Sequence, residues 1–128
     1  MDQPTTLDVI VDVQPGVSAR ALRNVPNTLT TFDHHFPRFP VLPGVLMIDS
    51  LSELAALAGG LETWRLAGAQ RVQFRHFVAP GDQMELEAKV LAQRDDELTV
   101  RCTVHVDGRL VARVGWLSLR FEPSEVTR

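Results

Sequence analysis

Only one stretch of this 128-residue chain can form a long helix, and sequence of period two flanks it on both sides. Between Val45 and Ala58 nearly every position is apolar, interrupted mainly by Asp49, Ser50, Ser52 and Glu53, and Gly59-Gly60 then stops the run. Apolar residues on all sides predict a helix that is buried all round. Upstream, Leu7, Val9, Val11 and Val13 alternate with Asp8, Ile10 and Asp12, which predicts a half-buried strand ending at Pro15-Gly16. A second short strand is expected through about Asn24. Downstream, the pattern predicts a β-meander of Arg71–Val78, Met84–Val90, Leu98–Val106 and Leu110–Phe121, separated by Pro80-Gly81-Asp82, Arg94-Asp95-Asp96 and Asp107-Gly108. In the second of these strands Met84, Leu86, Ala88 and Val90 alternate with Glu85, Glu87 and Lys89, so one face packs and the other is wet.

An antiparallel sheet with one apolar face and a single apolar helix has one economical arrangement, an α+β fold in which the sheet curls around the helix. The length fits one domain spanning residues 1–128, with no internal repeat or interdomain linker. A net charge of −3 without any long Lys/Arg block argues against nucleic acid or an anionic membrane as partner. Cys102 is the only cysteine, which excludes an internal disulfide and a cysteine-based zinc cluster; a reducing cytoplasm is the expected compartment and no metal is expected. Met1-Asp2-Gln3-Pro4 has neither the basic nor the apolar character of a signal peptide, and Asp49 breaks the longest apolar segment, so neither secretion nor membrane spanning is expected.

The chemistry concentrates just before the helix. From Pro26 to Gly44, Pro37, Pro40 and Pro43 forbid a continuous helix and predict a stiff loop. That loop carries His34 and His35, and imidazole accepts protons near neutral pH. The backbone N–H groups around Gly44 open the helix, where unpaired donors and the helix dipole favour a developing oxyanion. Asp49 then offers a carboxyl on the helix itself, and an unpaired carboxyl in apolar surroundings would be costly without a function.

The segment HFPRFPVLPGVLMID, from His35 to Asp49, resembles the signature of the bacterial (3R)-hydroxyacyl-acyl-carrier-protein dehydratases, and the block FRHFVAPGDQM, from Phe74 to Met84, is similar to a second part of that family. The resemblance covers most of the chain. It implies the hotdog fold, with a curved antiparallel sheet wrapped around one long helix. It also implies that His35 and Asp49 are the catalytic pair: His35 removes the α-proton of a β-hydroxyacyl thioester, and Asp49 helps expel the β-hydroxyl as water. Gly44, with Val45 beside it, would bind the thioester carbonyl. No cofactor is implied beyond the phosphopantetheine arm of the acyl carrier protein that presents the substrate. In that family the histidine and acid of one site come from opposite subunits, so a homodimer, or an oligomer of dimers, is implied and a heterodimer is compatible.

Several residues depart from the family pattern. Asp49 stands where the water-removing branch usually has Glu and the isomerising branch Asp. Glu53 replaces a common Gln, and His34 stands where a small residue is frequent. Glu53 lies one turn after Asp49, and two carboxyls at that spacing disfavour joint ionisation when close, so Glu53 and His34 are expected to tune the site. The chain has no tyrosine, so an aromatic gate would fall to Trp64 or a phenylalanine.

Other residues have two readings. Arg65, Arg71 and Arg75 could contact an acidic carrier protein, or simply form a solvated strand face. His76 is expected to be a satisfied interior histidine, His105 to lie on a wet strand face, and Cys102 to be core. Two functions compete with dehydration: a hotdog thioesterase, which the histidine-proline loop argues against, and a silent subunit or acyl-binding partner of a heterodimer.

Overall fold

A computed structural model describes residues 5–25, 44–60 and 63–121. They form one six-stranded antiparallel sheet and one helix: β1 (Val9–Gln14), β2 (Ser18–Asn24), α1 (Gly44–Gly59), β3 (Trp64–Phe74), β4 (Gln83–Arg94), β5 (Glu97–Val106) and β6 (Arg109–Phe121). The strand order is β1-β2-β4-β5-β6-β3. The helix packs on one face of this sheet, which is the hotdog architecture that the pattern predicts.

The core is the inward face of period-two strands. Met84, Leu86 and Ala88 of β4 are buried, and Leu86 and Ala88 pair with Val104 and Cys102 of β5, where Leu98, Val100, Cys102, Val104 and Val106 are buried. The helix answers with Met47, Ser50, Leu51, Leu54, Ala55 and Ala58, a stripe at three- and four-residue spacing. Glycines fix its far end. Gly60 takes φ +72° and donates its N–H to Leu57 O at 3.1 Å, while Gly16 N donates to Ala58 O at 2.7 Å, so two orphan carbonyls find partners. At Gly59 a Cβ would lie 2.5 Å from Leu98 Cδ2, so the helix meets the sheet there with no room for a side chain.

The structure corrects the sequence reading in four places. The third predicted strand, Arg71–Val78, runs instead from Trp64 to Phe74. It does not join a meander with β4; β3 pairs with β6 at the far edge, and only β4, β5 and β6 follow one another. The alternation that marks a strand specifies its face, not its neighbour, and sequential pairing is only the commoner outcome. In β1 a bulge between Ile10 and Asp12 breaks the alternation, and Val9, Ile10 and Val11 are all exposed on this edge strand. The helix is not buried all round: Val45 is 66% exposed, and Asp49 and Leu57 are exposed as well. One six-stranded sheet covers only one side of a helix, so among the described elements nothing packs on the opposite side.

No helix among the described residues is long and apolar enough to cross a membrane. Cys102 is fully buried as expected, and desolvation raises its thiol pKa from the ordinary 9.0 to about 12.

Candidate active site

The helix N-terminus is the natural focus of the site, and the described residues on either side of positions 26–43 are both held in place. At the near end, Val25 closes β2 by donating to Asp82 O (2.9 Å) and accepting from Gly81 N (2.7 Å). The Pro80-Gly81-Asp82 turn therefore clamps Val25, the last described residue before position 26. The turn is itself built for that role. Gly81 takes φ +94°, and Asp82 Oδ2 accepts from Ala79 N at 2.9 Å. At the far end, Gly44 opens the helix directly beneath the Phe74 ring, where an added Cβ would come within 2.7 Å of Cζ. His34 and His35 themselves lie outside the described residues.

Asp49 sits on the exposed side of α1. Its position five residues after Gly44 places the two about 7.5 Å apart along the axis. An all-apolar helix would have enclosed this carboxyl; the structure instead puts it opposite the sheet-facing stripe. Solvent, or a second protein layer, is what Asp49 faces. Val45 projects to the same open side.

Beside Asp49 runs a polar seam that sequence reasoning misses. Arg23, on β2, aligns with buried Met84 of β4 and so points toward the helix, in the same inward row as Ala19 and Ala21. Its Nη1 donates to Ser50 Oγ at 2.8 Å and to Leu46 O at 3.3 Å. Ser50 is fully buried, and its Oγ is 2.8 Å from Thr6 Oγ1. Thr6 donates twice to Glu53 Oε1, from N at 2.9 Å and from Oγ1 at 3.0 Å, and Thr5 Oγ1 donates to Glu53 Oε2. The single hydroxyl hydrogen of Thr6 is committed to Glu53, so Ser50 must donate to Thr6. The result is a one-way chain from the Arg23 cation through Ser50 and Thr6 to the Glu53 carboxylate. Burial lowers the Arg23 pKa, while the nearby charges of Asp8, Asp49 and Glu53 act in the opposite sense. Glu53 is thus tied to the segment before β1 and balanced by Arg23, an engagement beyond the pairing with Asp49 that its helical spacing suggests. A signal for it exists: in Ala19-x-Ala21-x-Arg23 the third inward position is a cation.

The remaining predicted residues lie elsewhere. Arg65, Arg71 and Arg75 are exposed along or just beyond β3. Arg71 adopts φ +58° and lays its guanidinium 4.8 Å above the Trp116 ring, a cation–π contact. His76 is exposed, not interior, because the chain has left the β3 ladder by that point. His105 is half-buried and lines a cavity of about 260 Å³ with Val11, Arg20, Leu22, Glu85 and Glu87, away from the helix. Trp64 packs against the core. No group of three or more His, Cys, Asp or Glu among the described residues could hold a metal ion.

A family model described as ApeI dehydratase matches residues 13–113. The chain belongs to the ApeI-like dehydratase family. Among curated relatives, a 3-hydroxyacyl-acyl-carrier-protein dehydratase FabZ of Psychrobacter arcticus is 31% identical over 125 residues, covering 91% of this chain and 86% of the relative. The protein of that name from Nitrosospira multiformis is 36% identical over 115 residues, covering 83% and 79%. Among solved structures, the dehydratase heterocomplex ApeI:P of Xenorhabdus doucetiae superposes with a TM-score of 0.76 at 14% identity, over 95% of this chain and 85% of that one, which shows the shared fold.

Proposed function

We propose that this ApeI-like chain is a hydro-lyase that removes water from a β-hydroxyacyl thioester carried on an acyl carrier protein, in fatty acid or polyene synthesis. The observation that carries the site assignment is Asp49 on the open face of α1, about five residues from the N-terminal Gly44, in a chain of this family. In this reading His35 takes the α-proton, which is weakly acidic beside the thioester. The Gly44 N–H, at the positive end of the helix, stabilises the enolate oxygen as charge develops. Asp49 donates a proton to the departing β-hydroxyl, so that water leaves and the trans-2-enoyl thioester remains. Glu53 and His34 tune this pair from its flanks.

The open side of α1 and the exposed apolar residues Val45, Leu57 and Leu66 favour an assembly in which a second chain covers the helix. A homodimer does this most simply, and a heterodimer does it equally well, since the solved relative is named as a heterocomplex. Arg71 and Arg75 lie exposed near the Phe74 end of β3, where an acidic carrier protein could dock.

The test is to incubate purified protein with a β-hydroxyacyl carrier protein and follow the acyl mass. Loss of water that depends on His35 and Asp49 is the expected result. Loss of water that persists undiminished in His35→Ala overturns the assignment. Thioester hydrolysis alone points to a thioesterase, and no reaction to a silent subunit.

A further inference from the structure

We propose that Arg23 is a positioning residue for dehydration: by holding Leu46 O and Ser50 Oγ, it fixes the rotation of the helical turn that carries Asp49. This inference rests on the reading of Asp49 as the acid.

The turn needs such a device. It lies at the N-terminal end of α1, whose first turn has no acidic side chain to complement the helix dipole. Its apolar anchors, Met47 and Leu51, are buried against the sheet. Apolar contacts set how deep a helix sits, but they are non-directional and resist rotation about the helix axis weakly. Arg23 supplies two directed bonds from β2, at positions three before and one after Asp49. Both acceptors lie on the flank of the helix next to the Asp49 face. A planar guanidinium is suited to this, since its donors have a fixed geometry.

The lever is large. A side chain reaches about 5–6 Å from the helix axis, so a rotation of only ~10° moves a carboxyl by about 1 Å. Misplacement on that scale can cost about 100-fold in rate. The far end of the seam is fixed as well. Ser50, held by Arg23, passes its own hydrogen to Thr6, which grips Glu53 one turn beyond Asp49. Asp49 therefore stands between two clamped points of one helix, Ser50 and Glu53 on one side and Leu46 on the other.

Three variants test this in the purified enzyme: Arg23→Met, which keeps length but removes both bonds and the charge; Arg23→Lys, which keeps a cationic donor; and Ser50→Ala, which cuts the seam but spares the Leu46 bond. Steady-state dehydration is measured at a temperature where circular dichroism shows each variant folded. Arg23→Met is expected to lower kcat by about 10- to 100-fold while KM stays within about threefold, because a misplaced acid weakens the transition state and not ground-state binding. Arg23→Lys, which keeps a cationic donor but not the fixed geometry, should recover part of that loss, and Ser50→Ala should fall between wild type and Arg23→Met. Should Arg23→Met not fold, an intermediate kcat for Ser50→Ala with unchanged KM supports the positioning role, and wild-type kcat in Ser50→Ala refutes it. The proposal is overturned if folded Arg23→Met keeps kcat within about threefold, or if Arg23→Lys recovers none of the loss. Asp49→Asn in the same assay separates the two readings. Full activity in Asp49→Asn removes the acid assignment itself; an inactive Asp49→Asn beside an unimpaired Arg23→Met removes only the role of Arg23.

Discussion

Glu53 offers a sharp test of whether hydrogen-bond acceptance or negative charge holds the polar seam together. Its carboxylate takes three donors: Thr6 N and Thr6 Oγ1 on one oxygen, Thr5 Oγ1 on the other. Glu53→Gln retains a single amide oxygen, which can keep both bonds from Thr6. The Thr5 hydroxyl then faces an NH₂ group and needs only to rotate and accept instead of donate. All three bonds lose their charge assistance, but every one of these groups keeps a partner and the desolvation cost of the carboxylate is relieved, so the expected loss is about 1 kcal/mol. Glu53→Ala removes every acceptor at once. Thr6 N, in a part-buried setting, loses its partner, and so does the hydroxyl chain that runs back to Arg23. An unsatisfied part-buried donor costs about 1–3 kcal/mol, and the lost side-chain contacts add to it, so about 2–3 kcal/mol is expected. For a domain of this size that is a fall in Tm of roughly 6–15 °C. Urea unfolding followed by tryptophan fluorescence measures both variants. Equal destabilisation by Gln and Ala would refute the acceptor account, because it would mean that negative charge, not hydrogen-bond acceptance, holds the seam. Wild-type stability in Glu53→Ala would show that the seam contributes nothing to folding.

Two further predictions rest on single contacts. Cys102 is fully buried with a thiol pKa raised to about 12, so it should react with thiol reagents only on unfolding. The folded pKa lies above the unfolded one, so this thiol's contribution to stability is complete below about pH 9 and declines as pH rises toward 12; Cys102→Ala should lose that part of the alkaline decline, as pH-dependent denaturation would show. Gly44→Ala gains little helix propensity at the first helical position and must displace the Phe74 ring from 2.7 Å, so it should be mildly destabilising in the wild type and closer to neutral in a Phe74→Ala background. Additive behaviour in that double-mutant cycle would mean that the ring does not guard Gly44.

What is legible in the sequence follows from what local pattern can encode. The helix is readable to within a residue at each end, because an apolar run with Gly59-Gly60 after it has few alternatives. Strands β4 to β6 are readable because Met84-x-Leu86-x-Ala88 and its counterparts show which face packs, although β4 runs on to Arg94, past the expected end at Val90; Asp107-Gly108, with φ +53° and +78°, is the hairpin turn that such a dipeptide favours. The position of β3 is illegible: Leu66, Ala67, Gly68 and Ala69 have no alternation to read, and an edge strand needs none. The seam is illegible for a different reason. Thr6, Arg23, Ser50 and Glu53 are separated in the chain, and the cation at the third position of Ala19-x-Ala21-x-Arg23 is a signal that only the pairing of β2 with buried Met84 turns into a direction, toward the helix.

The exposure of Asp49 then ties the fold to the chemistry. A sheet on one side of a helix claims the stripe from Met47 to Ala58 for packing, and a carboxyl placed on that stripe would have to be desolvated against Leu86 and Val104 with nothing to react with. A catalytic acid on this helix has to occupy the face that the sheet leaves open. None of the described strands shields that face from water, and proton transfer to a leaving hydroxyl is better controlled where water is kept out. Under the proposed role of Asp49, the geometry that leaves this carboxyl exposed therefore favours a second chain above α1. If the protein proves monomeric by analytical ultracentrifugation at the concentrations where it dehydrates substrate, that link between the open helix face and the reaction is broken.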